Sequence, residues 1–113
     1  YTGTHDNDTA RGWVESLGGE EGARLRAALR IPEDASAPDV VQAMLRAAMD
    51  SRAELAMVPM QDVLALGSEA RMNLPAEAEG NWAWRMREGD VGADSVGRLG
   101  DMIAAAGRSR TGR

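Results

Sequence analysis

The sequence predicts an α/β fold that is mostly helical, and three observations support this prediction. Apolar residues recur at helical spacing in three segments, residues 20–30, 39–49 and 94–106. Residues 55–58 form a short, continuous apolar run, which is typical of a parallel strand buried on both faces. Residues 67–85 follow neither period, so we expect a long loop there.

Composition limits the function before any motif is considered. The 113 residues are 43% hydrophobic and 27% charged, which is typical of a globular protein rather than a disordered one. The net charge of −5 makes nucleic-acid binding a poor hypothesis, because that affinity comes mainly from clustered basic side chains. The chain has no cysteine and one histidine, which excludes thiolate metal sites and disfavours imidazole-rich ones. It has no apolar run of the roughly 18 residues that a membrane span requires, so no membrane association is expected.

Helix boundaries can be placed from turn and capping residues. A first helix begins at about Trp13. The next covers residues 20–30 and ends before Pro32, because the residue preceding a proline avoids the helical region. Asp39 lies in the first turn of the third helix, residues 39–49, whose many apolar residues predict that it is mostly buried.

The second half of the chain contains the predicted strand and the long loop. Pro59 ends the apolar run, and residues 61–66 are expected to form one helical turn. A second strand is expected to end near Thr4. The final helix covers residues 94–106, and residues 108–113 are expected to form a basic, flexible tail after a domain segment of residues 1–107.

A lone buried strand needs partners on both edges, and the remaining sequence does not supply them. A helix, a strand, a long loop and another helix are the repeating parts of a (β/α)₈ TIM barrel, whose site lies on loops that follow the strands. Such a barrel needs about 250 residues. The sequence also begins at Tyr1 without an initiator methionine, so we expect a fragment that supplies the last part of a barrel.

Residues 4–8 concentrate reactive side chains: an imidazole, two carboxylates and a carboxamide. These side chains could bind a metal, act in acid–base catalysis or hydrogen-bond a polyhydroxylated ligand, and metal binding is the weakest option because no ligand spacing is recognisable. The alternative is a polar loop in which Asp and Asn cap the following helix.

Two segments carry a resemblance to a known family. Residues 1–13, YTGTHDNDTARGW, resemble the part of the amylomaltases, or 4-α-glucanotransferases, in which a His-Asp pair ends the seventh barrel strand. Residues 58–85 resemble the eighth strand and the loop after it. The resemblance implies the end of strand 7, helix 7, strand 8, a long loop and helix 8. It also implies a cytoplasmic, cofactor-free enzyme that transfers α-1,4-glucan segments between maltooligosaccharides by a retaining mechanism.

The resemblance assigns roles to three residues. Asp6 matches the third catalytic carboxylate, which stabilises the oxocarbenium-like transition state, and His5 matches the imidazole that hydrogen-bonds the same sugar. Asn73 matches a loop residue that lines the acceptor side. The Asp nucleophile and the Glu acid/base of the family belong to earlier strands, so this chain is expected to be inactive alone.

Two departures from the family pattern are visible. Thr9 is followed by Ala10, where family members usually have Thr-Thr, and Ala76 stands where they have the glycine of Asn-x-Pro-Gly. If the second position requires a positive φ, alanine will strain or reshape the loop.

The three tryptophans could stack on sugars, but their positions favour packing for Trp13, Trp82 and Trp84. Arg71 and Arg85 are expected to pair with Glu69, Asp62 or the cluster acids. Helical spacing predicts that four methionines are core residues: Met44, Met49, Met57 and Met60.

Two other functions are consistent with the sequence. One is a small, non-catalytic α-glucan-binding or helical interaction module, which should fold cooperatively by itself. The other is a related α-glucan hydrolase, which differs from a transferase only in whether water or sugar is the acceptor.

Overall fold

A computed structural model describes residues 1–109 and shows an arrangement of helices joined by long loops. In this part of the chain there are five α-helices and one 3₁₀ turn, and no strand. The helices are α1 (Ala10–Ser16), α2 (Gly19–Ala28), α3 (Ala37–Met49), α4 (Met60–Val63) and α5 (Ala93–Ala105), and the 3₁₀ turn is Ser68–Ala70.

The helix ends follow from local capping chemistry. Thr9 caps α1, since its side-chain oxygen accepts a hydrogen bond from the backbone N–H of Gly12. Ser36 caps α3 in the same way through the N–H of Asp39, so this helix begins two residues before the sequence-based prediction. The second predicted helix ends at Ala28, because Arg30 adopts a left-handed backbone conformation with φ of 57°.

The core lies around α3, which packs against α1 and α5. Val40, Val41 and Leu45 of α3 are almost completely buried, and α5 contributes Met102. The apolar face predicted for residues 39–49 is therefore confirmed. The central buried cluster is formed by Ala10, Val41, Leu45, Met49 and Met102.

The strand predicted over residues 55–58 is not formed. The side chains of this run alternate instead: Ala56 and Val58 pack against the core, whereas Leu55 is 72% and Met57 65% exposed. A strand requires a hydrogen-bonded neighbour, and the described residues offer none. The strand expected to end near Thr4 is absent for the same reason.

Two of the four methionine predictions are confirmed and two are wrong. Met49 is buried and Met44 packs against the central cluster, as predicted. Met57 and Met60 are exposed, so assigning them to the core was wrong. Both lie in or beside the segment that was expected to form the strand, and they lack the covering layer that a strand would provide.

Arg108 connects the end of α5 to the end of α3. Its guanidinium donates hydrogen bonds to the carbonyl oxygens of Met49, Ser51, Ala53 and Glu54 at 2.6–3.3 Å. Arg108, the first residue of the expected flexible tail, is therefore held against the helical frame. Residues 110–113 of that tail lie outside the described residues. No helix among residues 1–109 is both long and apolar enough to cross a membrane.

Candidate functional site

The structure brings together the three residues that the resemblance selects. The side-chain amide of Asn73 donates a 2.7 Å hydrogen bond to Oδ1 of Asp6, although 67 positions separate the two residues. Nε2 of His5 lies 3.3 Å from the same oxygen. The side chains of His5 and Asp6 are each about half exposed, so a ligand can reach them.

A tight turn presents His5 and Asp6 to solvent. Oδ1 of Asn7 accepts hydrogen bonds from both the N–H and the hydroxyl of Thr4, at 2.8 and 3.0 Å. The N–H of Asn7 in turn donates to the carbonyl of Thr4. Since Thr9 caps α1, the cluster does not cap the helix as the alternative reading supposed, and His5 and Asp6 remain available for a ligand.

Asp8 and its neighbours fix the position of this turn against the 3₁₀ turn. Its carboxylate accepts hydrogen bonds from the N–H of Thr9 at 2.8 Å and from the hydroxyl of Ser68 at 2.8 Å. Gly12 makes this approach possible, because a Cβ atom at that position would lie 2.6 Å from both carboxylate oxygens of Asp8. Asp8 therefore has a structural role.

Asp62 is a second structural carboxylate and is only 2% exposed. Oδ1 accepts a 2.8 Å hydrogen bond from the N–H of Ala10, and Oδ2 accepts one from the hydroxyl of Thr2 at 2.5 Å. Burial of a polar group is destabilising unless the group is hydrogen-bonded. Both oxygens of the Asp62 carboxylate accept a hydrogen bond. Asp62 thereby attaches the start of the chain and the first turn of α1 to α4.

Arg71 links the turn that contains Asp6 to the loop that contains Asn73. Its guanidinium donates to the backbone carbonyl of Asp6 at 2.7 Å and to that of Asn73 at 3.0 Å. The N–H of Asn73 also donates to the carbonyl of His5 at 3.1 Å. The prediction that Arg71 and Arg85 pair with carboxylates was wrong for the described residues, since neither forms an ion pair there.

The loop after Asn73 closes on itself through Asn81. The Asn81 side chain accepts from the N–H of Leu74 at 2.8 Å and donates to the carbonyl of Glu77 at 3.0 Å. Ala76, the residue that replaces the family glycine, has a φ of 74°. The position does require a positive φ, so alanine strains the loop as the sequence analysis anticipated.

Trp82 follows Asn81 and contacts the site directly. Its ring centroid lies 5.0 Å from that of His5, with the two planes inclined by 38°. The indole is 57% exposed, so the prediction that Trp82 packs in the core was wrong. Trp13 is also exposed, whereas Trp84 is partly buried. No spacing signal distinguishes Trp82 from Trp84, because the contact with His5 depends on how the loop folds back.

A pocket of about 170 Å³ opens beside the site, between residues 3–9 and α4. His5, Asp8, Asp62 and Arg71 line it. Sites that enclose a ligand are usually about 300–1,000 Å³, so this pocket alone is too small to enclose a sugar chain. Among residues 1–109 no group of three or more His, Asp or Glu side chains is arranged to hold a metal ion.

Comparison with known proteins identifies the family of this chain. A family model described as 4-alpha-glucanotransferase matches residues 1–91. The chain belongs to the 4-alpha-glucanotransferase family. It is 43% identical over 111 residues to the chloroplastic/amyloplastic 4-alpha-glucanotransferase of Arabidopsis thaliana, covering 96% of this chain and 19% of the relative. It is also 43% identical over 113 residues to the 4-alpha-glucanotransferase of Thermus thermophilus, covering 96% of this chain and 22% of the relative.

The solved structures agree with the family. An amylomaltase from Streptococcus agalactiae, in complex with acarbose, matches with a TM-score of 0.88 at 30% sequence identity. The match covers 97% of this chain and 22% of the amylomaltase chain. The described residues therefore have the fold of part of an amylomaltase, and the chain spans about a fifth of the length of its relatives.

Proposed function

We propose that this chain is the C-terminal part of the catalytic (β/α)₈ barrel of a 4-α-glucanotransferase, which transfers α-1,4-glucan segments between maltooligosaccharides. The single observation that carries the proposal is the Asp6–Asn73 hydrogen bond with His5 beside it, in a chain of this family. The barrel segment would cover residues 1–107, ahead of a tail at 108–113. The location would be cytoplasmic, with a plastid as the alternative raised by the Arabidopsis relative's name.

Asp6 would stabilise the transition state. Transfer of a glycosyl group passes through a transition state with positive charge on the sugar ring, and a fixed carboxylate stabilises that charge better than mobile water does. The 2.7 Å hydrogen bond from Asn73 fixes Oδ1 of Asp6, and no hydrogen bond among residues 1–109 engages Oδ2. Oδ2 is therefore free to accept a hydrogen bond from a sugar hydroxyl group.

His5 and Asn73 would bind the sugar substrate. The imidazole is half exposed beside Asp6 and can hydrogen-bond the same sugar ring. Asn73 still has a second amide hydrogen and a carbonyl oxygen for a hydroxyl on the acceptor side. Asp6, His5 and Asn73 thus supply both acceptors and donors, which is what a polyhydroxylated ligand needs.

As the family resemblance implies, the nucleophile and the acid/base would come from parts of the enzyme outside this chain. The other carboxylates close to the site, those of Asp8 and Asp62, both accept backbone hydrogen bonds and hold the fold together. A carboxylate used in this way is poorly placed to attack a sugar or to exchange a proton. The chain alone is therefore expected to be inactive, and no cofactor is needed because the mechanism uses carboxylates.

The exposed run at residues 55–58 supports the barrel part of the proposal. Leu55 and Met57 face solvent while Ala56 and Val58 face the core, so the run already has the two-sided alternation of an extended strand. Neighbouring parallel strands of a barrel would bond its backbone, and the side chains that face solvent here would enter the packed interior of the barrel.

A segment exchange tests the proposed function. The segment of the Thermus thermophilus enzyme that aligns with this chain is replaced by residues 1–113, and glucose release from maltotriose is measured. We expect the chimera to be active and Asp6→Asn to lower kcat roughly a hundredfold to a thousandfold. The matched control is Asp34→Asn, an exposed aspartate of a distant loop, which should retain the activity of the parent chimera. A folded chimera without transfer activity would overturn the proposal.

A further inference from the structure

Trp82 has a strained backbone conformation that the packing of its side chain does not explain. Its φ of 59° lies in the left-handed region, which a bulky side chain rarely occupies because its Cβ meets the backbone. The indole is 57% exposed, so burial of the ring among residues 1–109 does not offset that strain. Strained residues concentrate at functional sites, where the surrounding structure holds them in place.

The backbone around Trp82 is held firmly although the side chain is exposed. The Trp82 N–H donates a 2.6 Å hydrogen bond to the carbonyl of Met72, which closes the loop at its base. The preceding residue, Asn81, bonds Leu74 and Glu77 across the loop. The direction in which the indole points is thus fixed by the loop.

The indole, the imidazole and the carboxylate are joined by consecutive contacts. Trp82 contacts His5 at a centroid distance of 5.0 Å, and Nε2 of His5 lies 3.3 Å from Oδ1 of Asp6. An apolar, flat surface therefore lies close to hydrogen-bonding groups. A chain of glucosyl units has matching properties, since each ring has an apolar C–H face and a polar rim of hydroxyl groups. An indole can cover the apolar face while its N–H remains free for a polar partner.

The geometry points to Trp82 as a stacking platform for the glucosyl unit next to the one that Asp6 holds. The identity of the sugar rests on the proposed function. The platform contacts a ring at which no bond is broken, so it stabilises the bound substrate and the transition state equally. Such uniform binding lowers KM and leaves kcat unchanged.

The test uses the same Thermus chimera with maltotetraose as substrate. Trp82→Gly removes the indole and tolerates the positive φ, so the loop keeps its shape. We expect it to raise KM about tenfold, with kcat changed by less than about twofold. Trp82→Phe retains an aromatic face and should recover most of that loss. Trp13→Phe, at an exposed tryptophan on α1, is the matched control and should behave as the parent.

Two results would overturn the platform. One is an unchanged KM in Trp82→Gly. The other is a lower Tm with kcat and KM altered together, which would show that Trp82 packs against the remainder of the enzyme. Maltotetraose binding is also measured by calorimetry in the same variants. An inactive chimera that binds maltotetraose and loses that binding in Trp82→Gly would contradict the proposed function and support the platform. An inactive chimera that binds no maltotetraose would contradict both.

Discussion

The helical frame and the site loops of this chain are stabilised by different interactions. The frame consists of α1, α3 and α5, and its contacts are mainly apolar side chains such as Val41 and Leu45, which are almost inaccessible to solvent. The site loops, residues 4–8 and 71–82, are mostly exposed and are held by hydrogen bonds between polar side chains and the backbone.

This difference separates the interactions that stabilise the fold from those that position the proposed site. Apolar burial is non-directional, so the frame would tolerate other apolar residues of similar volume. Hydrogen bonds are directional, and the 2.7 Å contact between Asn73 and Asp6 depends on Arg71 holding the carbonyls of both residues. The site loops also contain Ala76 and Trp82, whose backbones are strained by a positive φ. Strained residues are typical of functional sites rather than of a helical frame.

The largest expected effect on stability is in the frame. Leu45 is 1% exposed, so Leu45→Ala should lower the free energy of unfolding by about 2–5 kcal/mol through lost burial and a cavity. Leu45→Met, which conserves volume, should cost less than about 1.5 kcal/mol. Urea unfolding of the Thermus chimera measures both.

Val96→Ala is the matched control for the frame. Val96 of α5 is 58% exposed, so its truncation should change the free energy of unfolding by less than about 0.5 kcal/mol. Equal losses for Leu45→Ala and Val96→Ala would contradict the distinction between the buried and the exposed positions of the frame.

A smaller loss is expected where the frame and the site loops meet. Asp62→Ala leaves the Ala10 N–H and the Thr2 hydroxyl without their acceptor, which should cost about 2 kcal/mol in the same urea experiment. Asp62→Asn keeps one acceptor oxygen and should cost less. Asp34→Ala, at an exposed aspartate, should be close to neutral, and a loss as large as that of Asp62→Ala would show that the buried carboxylate has no special role.

The sequence was informative where interactions are local. Periodicity, Pro32 and the acidic first turn of the third helix located α2, α3 and α5 within two residues of their observed bounds, because capping and amphipathic burial act within a few positions. The bounds of the short helices were less accurate: α1 begins at Ala10 rather than at about Trp13, and α4 ends at Val63 rather than at residue 66. The sequence-based prediction failed at residues 55–58, because a strand depends on partners that residues 1–109 do not contain.

The site was only partly predictable, for a related reason. The turn holding His5 and Asp6 is local and its residues stood out, whereas the pairing of Asp6 with Asn73 spans 67 positions and followed only from the family resemblance. The contacts of Trp82 and Arg108 carried no signal at all. Both depend on where a distant part of the chain folds back.

The smallest expected effect lies in the site loop. Ala76→Gly should raise the free energy of unfolding by about 0.5 kcal/mol, because relief of the left-handed strain exceeds the entropy that glycine adds to the unfolded chain. Ala78→Gly, in the same loop at a residue without a positive φ, should lower it by a similar amount. Urea unfolding distinguishes the two signs, and a loss in both variants would show that Ala76 is unstrained.

A calorimetric titration of acarbose into the Thermus chimera tests whether Asp6 is the carboxylate of this chain that binds ligand. We expect the parent chimera to bind acarbose, Asp6→Asn to weaken this binding about a hundredfold, and Asp34→Asn to leave it unchanged. Equal affinity of the parent and Asp6→Asn for acarbose would contradict the claim.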